Sequence, residues 1–116
     1  MLNNVVLVGR LTADPELKEV GKEGKVVNFT VAVGRSYKNA DGEYDTDFIN
    51  CNVWNQVAEN MSEYCHKGDV VGVKGSLQTS SYDDKDGIKR YKTEVRADKI
   101  TFLSSKKTTG DEKDGE

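Results

Sequence analysis

Phe48, Asn50, Asn52 and Trp54 stand two residues apart in the run TDFINCNVW, residues 46–54. In an extended strand that spacing puts all four side chains on one face and leaves Ile49, Cys51 and Val53 on the other. The apolar triplet reads as core. A face carrying two large aromatic rings with amides between them is neither an ordinary core nor an ordinary solvent face. Exposed aromatics set among amides suit flat ligands, and nucleobases are the obvious ones. The competing reading for Trp54 is packing under an adjoining helix.

Two further aromatics escape the core pattern: Tyr37, on a hairpin, and Tyr82, where a strand enters a second hairpin. Cations accompany them, with Arg35 and Lys38 beside Tyr37, Lys74 on the face of Tyr82, and Lys85, Lys89 and Arg90 on the second hairpin. Aromatic platforms flanked by cations suit single-stranded nucleic acid, because every base has a π-face and every linkage a negative charge. The charge balance opposes a simple basic binder. The chain of 116 residues carries a net charge of −3, and residues 1–103 hold 14 basic against 16 acidic side chains. Stacking, at about 1–3 kcal/mol per base, must therefore matter at least as much as screened surface cations. Tyr44 lies among Asp41, Glu43, Asp45 and Asp47 and is set aside, as are Tyr64, on a helical stripe, and Tyr91, in parity with Val95.

Catalytic chemistry finds little material. The lone His66 falls at a helix end, where a charge-compensating or solvated role suits it. Cys65 and His66 are adjacent and diverge on a helix, no paired CxxC spacing occurs, and no Gly-rich phosphate loop is present. No catalytic residue, metal or cofactor is expected. Cys51 and Cys65 read as small buried hydrophobes rather than as a disulfide. No apolar run approaches the ~18 residues of a membrane span, and the start MLNNVVLVGRL lacks the features of a secretory signal, so a cytoplasmic protein is expected.

The elements that must hold these residues follow from period and punctuation. Residues 4–11 (NVVLVGRL) form a doubly apolar strand ending at Asp14-Pro15, and residues 25–34 (KVVNFTVAVG) alternate as a second. A hairpin over 35–45, with Asn39 and Asp41-Gly42 as turn formers, leads into the third strand, 46–54. Helical spacing then takes over across 55–67, with Val57, Met61, Tyr64 and Cys65 on one stripe, Asn55 as cap and Gly68 as stop. A fourth strand, 69–82, points Val71, Val73 and Leu77 inward, and its Gly72 and Gly75 imply a bend or bulge. The fifth strand, 88–103, changes register near Asp98, where a second bulge is expected. Five strands with one helix between the third and fourth are the plan of an oligonucleotide-binding (OB) fold: all-β with one helix, a five-stranded Greek-key barrel. It occupies residues 1–103; the tail 104–116 has no hydrophobic residue and is expected to be disordered.

Residues 1–103 resemble the bacterial and phage-type single-stranded DNA-binding protein family, through NNVVLVGRLTADPEL, VNFTVAV, TDFINCNVWNQVAENMSEYCHKGDVVGVKGSL and RYKTEVRADKITFL. The resemblance implies an OB fold assembled as a homotetramer, binding single-stranded DNA without sequence specificity during replication, recombination and repair. It implies a nucleoid-associated location, and base stacking at positions matching Tyr37, Phe48, Trp54 and Tyr82, three of which are Trp in some members. The C-terminus departs from the pattern. Replication-type members end in an acidic tip closed by Pro-Phe that docks repair and replication enzymes, whereas this chain ends GDEKDGE, so recruitment through the tail lacks its anchor. A short paralogue linked to DNA uptake, a phage or mobile-element version and a truncated chain all fit that ending. The alternative function is an OB-fold protein-interaction module using the same aromatic face, which salt dependence distinguishes; RNA is a minor third ligand.

Overall fold

Six strands and one helix make up the computed structural model, which describes residues 1–105. In chain order they are β1 (Val5–Leu11), β2 (Leu17–Val20), β3 (Gly24–Lys38), β4 (Tyr44–Trp54), α1 (Asn55–Tyr64), β5 (Val70–Asp83) and β6 (Lys89–Ser104), with a 3-10 turn at Gly21–Glu23. The sheet runs β1-β5-β6-β4-β3 and closes on itself where Arg10 and Leu11 of β1 pair with Ala32 and Val31 of β3. Closure through five strands gives the expected OB barrel. β2 is the unforeseen element, four residues with no apolar alternation, paired to the start of β3 outside the barrel. Its presence moves the helix from between the third and fourth strands to between β4 and β5. Counted by barrel strands alone the order is as expected.

Alternation along β3, β4, β5 and β6 fills the interior with Val27, Val31, Cys51, Val53, Val71, Val73 and Val95, all essentially inaccessible. β-branched residues suit this surface because their stiff side chains pack on a pleat without losing rotamers. Both expected bulges occur together. Lys74 pairs with Lys99 and Gly75 with Ala97, which leaves Asp98 unpaired and restores inward parity to Ile100. Past the barrel rim the inward count no longer means burial, because the β5–β6 hairpin projects into solvent there. Tyr91, expected inside, is accordingly exposed, and so is Leu77, which is paired with the buried Val95 but lies past Gly75, the last residue of β5 that β1 covers.

The helix departs from expectation at both ends. Asn55 does not cap it: this residue takes a left-handed φ of 56° at the first helical position, and its Oδ1 accepts the backbone N–H of Lys25 at 3.2 Å. The stop comes at Tyr64, before Lys67, because Cys65 turns extended to bury its side chain while the Asp69 carboxylate takes the His66 N–H at 2.8 Å. Ala58, Met61 and Cys65 form the buried stripe, and Tyr64 lies off it in solvent. Gly68, at φ 90°, then docks the connection on β1, donating its N–H to Leu11 O at 2.8 Å. The tail expected to be disordered lies, from residue 106 on, outside the described residues.

Candidate nucleic-acid interface

Antiparallel register with β3 decides what each outward residue of β4 faces. Phe48 stands opposite Ala32, Asn50 opposite Thr30, Asn52 opposite Asn28 and Trp54 opposite Val26. A small neighbour leaves the Phe48 ring uncovered, at 66% exposure. Thr30 Oγ1 donates to Asn50 Oδ1 at 2.9 Å, so the Asn50 amide group is turned with its N–H donors away from that bond. Trp54 is half-buried, and its indole N–H donates to Asn52 Oδ1 at 3.1 Å. Asn52 itself is only 7% exposed. Expected on the open face, it is instead buried, and its Oδ1 accepts at the edge of the indole and orients the ring.

Two hairpins carry the outer aromatics, and each is built around an amide or carboxylate that takes turn N–H groups. Asn39 Oδ1 accepts from Asp41 and Glu43 N–H, holding the turn after Tyr37. Asp84 Oδ1 accepts from Asp86 and Ile88 N–H, holding the turn after Tyr82, and these bonds together with Arg90 keep the Asp84 carboxyl below the usual carboxylate range. Tyr37 and Tyr82 are both exposed. Counting in register along β5, Tyr82 shares outward parity with Ser76, which pairs with Arg96 beside the β4 face.

The cations divide into engaged and open. Arg35 Nε and one terminal nitrogen donate to both oxygens of Asp47 at 3.0 and 2.9 Å, with Asp45 3.8 Å away, and this pairing raises the guanidinium and lowers the Asp47 carboxyl from their ordinary values. Arg90 Nε donates to Asp84 Oδ2 at 2.9 Å. Lys38 lies over the Tyr44 ring, 5.8 Å from its centroid. Lys74 sits on β5 opposite Lys99, Lys89 opposite Asp83, and Lys85 in the turn; these three form no ion pair within the described residues. An open groove of about 360 Å³ adjoins the aromatic face, between Thr12–Pro15 and the side chains of Asn28, Asn50, Lys92 and Glu94.

The chain that carries this face matches known proteins along nearly its whole length. The sequence model of the single-strand binding protein family covers residues 2–103. This chain belongs to that family. It is 50% identical over 110 residues to single-stranded DNA-binding protein 1 of Lactococcus lactis, a stretch spanning 95% of this chain and 73% of the relative. It is also 48% identical over 106 residues to single-stranded DNA-binding protein B of Bacillus subtilis, spanning 91% of this chain and 94% of that one.

In this member of the single-strand binding family, one residue of the face escaped the sequence reading. Arg96 sits on β6, paired in parallel beside Asn52, and its guanidinium lies over the Trp54 ring, 5.5 Å from the centroid. The signal was available, since Val95 and Ala97 both read as inward and the residue between them must point out. The thiols take no part in the face: burial pushes Cys51 up to about 12 and Cys65 above its ordinary value, so both stay protonated and inert. Among the described residues, no three His, Cys, Asp or Glu side chains are grouped to hold a metal, and no helix is long and apolar enough to cross a membrane.

Proposed function

We propose that this protein binds and protects single-stranded DNA without sequence preference and without a chemical step, during replication, recombination and repair, and that it works in the cytoplasm on the nucleoid. The observation that carries the reading is the outward row of Phe48 and Trp54 on β4, flanked by the exposed Tyr37 and Tyr82 on hairpins, in a chain of this family. Stacking on such rings is sequence-tolerant, since every base has a π-face. The domain is acidic overall and two of its arginines are already satisfied by carboxylates, which leaves the aromatics the larger share of affinity. Trp54 is the sole tryptophan, so titration with oligo-dT should quench the protein's indole emission strongly at or below low micromolar protein. Unchanged emission at saturating DNA would sink the reading.

The Arg35–Asp47 pair makes a second expectation specific. Asp47→Asn removes the charge that holds Arg35 and offers the freed guanidinium to phosphate. Oligo-dT binding should tighten by roughly twofold to fivefold at low salt and weaken more steeply as salt rises. Weaker binding in this variant would mean that the ion pair serves to shape the hairpin carrying Tyr37.

The homotetramer belongs to the same proposal. Val6 and Val8 of β1 stay 72% and 54% exposed, and Gly72, paired with Val8, faces the exposed Leu103, an apolar surface suited to meeting further copies of the chain. Light scattering should report four subunits.

A further inference from the structure

Each arginine of the described residues except Arg96 is held by an oxygen of the protein itself. Arg10 donates to Gly68 O at 2.8 Å, Arg35 is bonded by Asp47, and Arg90 by Asp84. Arg96 has only the Trp54 ring. Glu94, two residues before Arg96 on the same strand, is taken by Lys92 at 3.7 Å. A guanidinium parked on an aromatic face keeps its planar fork of N–H donors unspent, and that fork matches the oxygens of a phosphate.

We infer that Trp54 and Arg96 form one composite nucleotide site, the indole receiving the base and the guanidinium the adjoining backbone phosphate. The inference rests on the reading of single-stranded DNA as ligand and adds a residue and a division of labour to it. Three placements support it. The parallel pairing of Asn52 with Arg96 brings the β6 side chain to the Trp54 end of the β4 row. Asn52, buried and bonded to the indole N–H, fixes the ring so that Arg96 meets a face of constant orientation. Gly75 and Ala97, inward on either side of the strand pair, keep Arg96 on the outside just before the bulge at Asp98. A base that stacks on Trp54 carries its phosphates within reach of the same side chain. Stacking displaces the weaker guanidinium–ring interaction, and the displaced guanidinium exchanges it for a charge-assisted bond to phosphate.

The test is oligo-dT titration over a salt series with wild-type protein, R96Q and R96K. R96Q keeps a planar polar group but no charge. It should bind roughly fivefold to tenfold more weakly at low salt, and the slope of log K against log salt should shrink by about 0.7 for each phosphate that is no longer neutralised. R96K restores charge without the fork; it should recover the slope while recovering affinity only in part. Equal thermal midpoints by circular dichroism keep a folding defect apart from these readouts. An R96Q variant that binds with the parent's slope overturns the composite site alone. Failure of the wild-type protein to bind removes the reading beneath it as well, so the two failures are distinguishable.

Discussion

Replacing Phe48 and Trp54 together by alanine is expected to weaken oligo-dT binding by at least about thirtyfold while leaving the barrel folded. Each ring is worth about 1–3 kcal/mol of stacking, and two separated rings add to roughly 2–6 kcal/mol if their effects are independent. Folding should survive because neither ring belongs to the buried cluster; that cluster is drawn from the opposite face of β4, with Cys51 and Val53. Phe48→Ala is the milder change structurally, since its ring is exposed opposite Ala32. Trp54→Ala also releases Asn52 from its indole N–H, which strips a partner from a buried amide and should lower the melting temperature modestly. Binding isotherms and melting curves on the two single variants and the double separate these effects. A double variant that binds like the parent would contradict the stacking mechanism, and collapse of folding in both singles would mark the rings as packing groups instead.

Gly75→Ala is expected to be the most damaging single methyl group in the molecule. A Cβ at this position would collide with the backbone carbonyl of Arg96 and lie 2.8 Å from Ala97 Cα. Those atoms belong to the main chain of the paired strand and cannot rotate aside, so β5 and β6 would have to part at the bulge. Overpacking of this kind costs about 1–3 kcal/mol and can exceed it where only backbone is available to move. Urea unfolding should show the loss as a lower midpoint with an unchanged m-value. Binding should fall too, because the displaced strand is the one that presents Arg96 to Trp54. A variant as stable as the parent would mean that the strands adjust freely there.

Much of the fold is legible along the chain. The strands of β3, β4 and β5 follow from alternation, and the paired bulge at Gly75 and Asp98 follows from a glycine on one strand and a change of parity on the other. β2 could not be read, because LKEV has no periodic signal and becomes a strand only by pairing with β3. The misplaced residues follow their local periods, and packing overrides those periods. Leu77 obeys parity but lies past the end of β1's pairing, Tyr91 obeys it on the exposed hairpin, and Tyr64 falls just off a helical stripe whose centre is set by packing on the barrel, not by the run of apolar letters.

By itself the sequence determined which side chains share a face, since strand and helix periods are local and need only the spacing of residues two, three or four apart. That was enough for the barrel, for the row of Phe48 and Trp54, and for the family. Only the tertiary structure decided which members of that face are free. Arg35 and Arg90 were equally basic on paper as Arg96, yet hairpin register sets the first two against Asp47 and Asp84 while parallel pairing sets the third over Trp54. Charge is cancelled or left available by groups brought together through strand pairing and turns, and that arrangement is invisible to any count along the chain.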